Sequence, residues 1–194
     1  MKETFEWIQS WCDHTEKNDL PRLLLVGDSI TRSYQGKVRE LLEGKFYVDY
    51  IAASYSVDQK FFVDLVTKFA ADSDYAVIHF NHGLHGLHMT DKVYGEGVEK
   101  LLAEIGKNRK VILAASTLVK EKGNARIDYR TTGIVLRRNK IIEIIAQRSG
   151  YKIDDLYSVS ANIPAEYRWS DGVHYDEKGS ERLAEAVAKS VLSV

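Results

Sequence analysis

The sequence predicts an α/β protein: a three-layer α/β/α sandwich around a central, mostly parallel, five-stranded sheet. Three observations predict it. Short apolar runs of strand length recur along the chain. Longer stretches between them carry apolar residues three and four positions apart, the period of a half-buried helix. The two kinds of segment alternate, as in parallel strands joined by crossover helices.

The elements follow in order. Residues 3–12 are expected to form a helix, so that residues 1–20 make a helical extension packed on the main unit. Pro21 ends that extension. RLLLV, residues 22–26, reads as a strand buried on both faces and stops at Gly27. FYVDYIA (46–52), YAVIHF (75–80), KVILAA (110–115) and the weaker YKID (151–154) supply four more strands. Helices are expected over 30–42, 59–69, 93–105, 134–146 and 180–191. The second of them spaces Phe62, Leu65, Val66 and Phe69 along one face, and the third does so with Val98, Leu101, Leu102 and Ile105. Two stretches look irregular, 119–132 and 157–172. With no repeat or linker, 1–194 reads as a single domain, a length that fills one core.

Composition narrows the function classes. A 44% hydrophobic and 28% charged chain is ordinary for a globular protein. A net charge of -1 gives no broad surface for nucleic acid. Cys12 is the only cysteine, which excludes an internal disulfide and fits a reducing compartment. The first residues mix acids and bases and lack the apolar core of a signal peptide. No apolar run approaches the roughly 18 residues that cross a membrane. The expectation is a cytoplasmic protein with no membrane partner; the oligomeric state stays open.

Open α/β sheets bind ligands outside the carboxyl ends of their strands, so residues that directly follow strands carry the chemical interest. Gly27-Asp28-Ser29-Ile30 follows the first strand and opens a helix. Ser29 there meets free amides and the positive end of the helix dipole, a favourable place for a developing oxyanion. The same Asp-Ser pair also caps ordinary helices. Far along the chain, Asp171 and His174 stand three apart before the last helix. The carboxylate can orient the imidazole and leave its second nitrogen to take a serine proton. Asn81 follows the third strand and can donate its side-chain amide to an oxyanion. The G-x-S-x-G elbow is absent, so the common α/β-hydrolase layout is not supported.

From Gly27 to the last helix the chain resembles the SGNH/GDSL hydrolases, a superfamily of esterases, lipases and carbohydrate deacetylases. The first block is matched by Gly27-Asp28-Ser29-Ile30, and the last by Asp171 and His174, followed by Gly179 and Leu183-Ala184. The third block, Gly-x-Asn-Asp in the family, reads His79-Phe80-Asn81-His82 and keeps only the Asn. The second block's glycine aligns with Val57, with Ser56 as its rival. The resemblance implies a flavodoxin-like SGNH fold, a Ser29–His174–Asp171 triad, and an oxyanion hole from the amides of Ser29 and Val57 and the side chain of Asn81. It also implies carboxylic-ester cleavage through an acyl-enzyme, without metal or cofactor. The substrate it suggests is a short acyl, such as acetyl, on a carbohydrate or small molecule. A thioesterase or acyltransferase using the same serine, or a non-catalytic binding domain of the same fold, are the alternatives.

His79, His82, His85 and His88 recur every third residue. Gly83 and Gly86 break any helix through them, so a zinc site is not expected. His82 and His85 are expected to line or support the pocket mouth near Asn81, with Asp28 beside them; Tyr94 and Trp169 are expected either as pocket walls against substrate or as packing residues.

Overall fold

The computed structural model describes residues 4–124 and 126–194. Among them the elements are β1 (Ile8–Trp11), β2 (Arg22–Gly27), α1 (Ser29–Leu41), β3 (Tyr47–Ala53), α2 (Lys60–Ala71), β4 (Tyr75–Asn81), α3 (Asp91–Ile105), β5 (Lys110–Ala114), α4 (Tyr129–Ser149), β6 (Lys152–Asp154), α5 (Leu156–Ala161), a 3-10 turn (Ala165–Tyr167) and α6 (Glu177–Val191). The strands form one sheet in the order β1-β3-β2-β4-β5-β6. All neighbours are parallel except β1, which runs antiparallel to β3. The five parallel strands, taken in chain order, are therefore arranged 2-1-3-4-5, the flavodoxin-like winding.

The side-chain alternation of β2 sets the two cores. Leu23 and Leu25 face the layer that holds α1, α5 and α6. Leu24 and Val26 face the layer of α2, α3 and α4. All four are fully buried, and each contributes roughly 1.5–3 kcal/mol of burial. Aspartates or a threonine cap most helices. Asp28, Thr90, Asp128, Asp155 and Asp176 each accept an amide of the first turn, a bond typically worth about 1 kcal/mol.

Three expectations change. The N-terminal helix over residues 3–12 is instead strand β1, with Glu3 outside the described residues, so the sheet has six strands rather than five. Trp7 and Trp11 are four apart, a spacing that puts residues on one face of a strand as well as of a helix. Trp7 just before the strand and Trp11 at its end lie under arginines of α1, Arg32 and Arg39, and β1 covers the edge of the fully buried β3. The stretch 119–132 loses its end to α4, which starts a turn earlier than expected behind the Asp128 cap. Likewise 157–172 holds most of α5 and the 3-10 turn.

Among the described residues, no helix is long and apolar enough to cross a membrane.

Candidate active site

The parallel strands reverse their winding between β2 and β4, and open α/β sheets bind ligands outside the carboxyl edge at such a point. Gly27 and Asn81, the last residues of these strands, are register partners. A Cβ on Gly27 would sit 2.5 Å from the Asn81 carbonyl and 2.0 Å from Thr31 Oγ1. Glycine is thus required by close approach of strand, helix and strand.

The chain enters α1 at once. Asp28 is buried, and its Oδ1 accepts the Ile30 amide at 3.0 Å. Its Oδ2 accepts the Leu84 amide at 3.4 Å. Asp28, expected against substrate, is therefore turned inward and shapes the turn. Ser29 is the first residue of α1, where backbone amides lack intrahelical partners.

The loop before α6 brings the other two groups. Gly172 takes φ +81°, and a Cβ there would overlap the Lys120 carbonyl at 2.0 Å, so the turn between Asp171 and His174 needs glycine on both counts. Asp171 Oδ1 accepts the amides of Val173 (2.8 Å) and His174 (2.9 Å). Its Oδ2 lies 2.7 Å from His174 Nδ1. Partial burial pushes the Asp171 carboxyl up, but these hydrogen bonds outweigh it and hold the group below the usual carboxylate range. His174 Nε2 lies 2.8 Å from Ser29 Oγ. With Nδ1–H donated to the carboxylate, Nε2 is free to accept the serine proton.

Asn81 is buried below the Ser29 turn and donates through Nδ2 to the Tyr34 hydroxyl at 3.3 Å. An amide nitrogen carries two hydrogens, and Tyr34 takes one. Tyr34 in turn meets Thr31 Oγ1 at 3.0 Å. Burial pushes its phenol up, so it stays neutral. Val57 is buried, with its side chain and its carbonyl oxygen against Gly97 on α3.

The remaining expected residues scatter. Of the two roles expected for His82, its burial leaves support: it is stacked on Phe62 with ring centres 4.6 Å apart. Its Nε2 donates to the Tyr55 carbonyl at 2.7 Å. Tyr94 is also interior, its hydroxyl donating to the His82 carbonyl at 3.2 Å. His82, in the loop after β4, and Tyr94, on α3, are thus both interior and support the loop from within. His85 stays half-buried, edge-on to Trp7 at 6.4 Å. Trp169 is 56% exposed, its ring 5.8 Å from that of His174. It lines a cleft of about 530 Å³ beside α1 and α6, together with Arg32, Gly36 and Glu177. The histidine row diverges: His79 pairs with Asp154 and His88 with Asp58. Among the described residues no group of three or more potential ligands is placed to hold a metal.

The sequence motifs do not single out Tyr34, which accepts from the Asn81 amide. Tyr34 carried a signal, since Ile30, Tyr34 and Val38 repeat every fourth residue on the buried face of α1.

No protein-family model matches the chain, and no curated protein matches it. Solved structures do. A lipase/acylhydrolase from Enterococcus faecalis superposes with a TM-score of 0.73 at 15% identity, covering 90% of this chain and 96% of that one. An acetylxylan esterase from Geobacillus stearothermophilus gives 0.71 at 16%, covering 88% and 94%. A member of the lipolytic G-D-S-L family from Veillonella parvula gives 0.70 at 16%, covering 89% and 99%. The chain has the fold of the SGNH/GDSL hydrolases.

Proposed function

We propose that the protein is a serine esterase that cleaves a carboxylic ester through an acyl-enzyme. The observation that carries this reading is the hydrogen-bonded line Asp171–His174–Ser29, with contacts of 2.7 and 2.8 Å, at the switch point of an SGNH hydrolase fold. His174 takes the Ser29 proton as Oγ attacks the ester carbonyl, and Asp171 steadies the imidazolium that forms. The oxyanion is held by the Ser29 amide, the second Asn81 amide hydrogen and the Val57 amide. His174 then protonates the leaving alcohol, and water releases the acyl group by the reverse path. The chemistry calls on no metal or organic cofactor.

We assign the alcohol part of the substrate to the cleft that Trp169 lines, because its exposed ring, 5.8 Å from that of His174, offers a face to a sugar. A short acyl such as acetyl on a carbohydrate or small molecule fits this layout. The acetylxylan esterase among the similar structures is in keeping with it. The lone cysteine fits work in the reducing cytoplasm. The test is turnover of 4-nitrophenyl acetate: Ser29→Ala should fold normally and lose activity by a factor on the order of 10⁴ or more. Undiminished activity in that variant would refute the mechanism.

A further inference from the structure

Arg138, on α4, is 1% exposed and among the described residues has no carboxylate within ion-pair distance. A buried cation without an acidic partner carries a large desolvation cost, and an apolar residue at a buried helix position avoids it. Three backbone carbonyls stand in for the missing acid. Nη1 donates to Gly83 (2.9 Å) and His85 (2.7 Å), and Nη2 donates to Gly86 (2.6 Å). The guanidinium also lies 4.5 Å over the Tyr94 ring.

These carbonyls belong to the loop that leaves Asn81. The loop grips the nucleophile turn directly, because the Leu84 amide donates to Asp28, whose other oxygen caps α1 at Ile30. It grips the loop after β3 as well, because His82 donates to the Tyr55 carbonyl, two residues before Val57. Tyr94, which carries the guanidinium on its ring, donates to the His82 carbonyl. One buried fork therefore sits behind every segment assigned to the oxyanion hole. We propose that Arg138 is a positioning residue for ester cleavage, locking the 83–86 loop so that Asn81 and the Ser29 turn keep their spacing. The proposal rests on the esterase reading above.

A planar fork can serve three carbonyls at once, whereas an ammonium on a flexible stem cannot hold the same geometry. The experiment compares Arg138→Lys, Arg138→Met and Arg138→Ala with the wild type on 4-nitrophenyl acetate, well below their melting temperatures. Displacing a reacting group by about 1 Å can cost roughly 100-fold in rate. The folded variants are expected to lose about 10- to 100-fold in kcat, with KM nearly unchanged and the shape of the pH profile kept. Guanidinium chloride at millimolar concentration should restore part of the activity of Arg138→Ala. A folded variant with wild-type kcat overturns the proposal, as does loss of folding in all three, which would assign Arg138 to stability alone. A wild-type protein without turnover, or one indifferent to Ser29→Ala, sinks the esterase reading itself and is told apart by that control.

Discussion

At the scale of single residues, the site separates groups that act from groups that hold. Ser29, Asp171 and His174 meet through side chains, and their residue types in that order were legible from the sequence. Asp28, His82 and Tyr94, from three different segments, are buried instead, and nothing in their identities shows which way they turn. Only packing on Phe62 and α3 decides that for His82. Its imidazole has a measurable consequence. Burial lowers it from 6.5 to about 4, so the folded protein holds it neutral while the unfolded chain binds a proton below its ordinary value. The contribution to stability is complete above pH 6.5 and is lost as pH falls from 6.5 toward 4, by up to a few kcal/mol. Thermal melts at pH 7.5, 6 and 5 should show this decline in the wild type, and a flatter one in His82→Leu. Equal slopes in the two proteins would place the acid sensitivity elsewhere.

At the scale of elements, the turn from β2 into α1 is the most constrained. The sequence showed a glycine before an Asp-Ser cap, which a tight turn explains on its own. The structure gives a different cause, the near contact of Gly27 with the Asn81 backbone. Gly27→Ala should therefore cost about 1–3 kcal/mol from overpacking, read as a fall of several degrees in melting temperature, and should lower kcat because Asn81 is displaced. Adding Thr31→Ala should not rescue it, since the backbone oxygen at 2.5 Å remains; full rescue would show that the threonine hydroxyl was the only obstacle. β1 was illegible for a physical reason. Trp7 and Trp11, four apart, suit either period, and the choice is made by the open edge of β3, a feature that exists only once the sheet has formed.

At the scale of the whole molecule, the winding of the sheet does what no local pattern can. It brings Ser29 and His174, 145 positions apart in the chain, to one hydrogen bond at the reversal between β2 and β4. The five parallel strands could be read because they are short apolar runs, and their crossover helices because each buries a periodic face. Arg138 could not, because a polar residue inside a helix pattern gains a meaning only from the loop it meets across the core. The central claim is that Ser29 is the nucleophile of an acyl-transfer enzyme, and covalent labelling tests it most directly. A fluorophosphonate probe, followed by peptide mass spectrometry, should place one adduct on Ser29, with none in folded Ser29→Ala and far slower labelling in folded His174→Ala. An adduct at another residue, or no adduct on a folded protein that still hydrolyses 4-nitrophenyl acetate, would contradict the account.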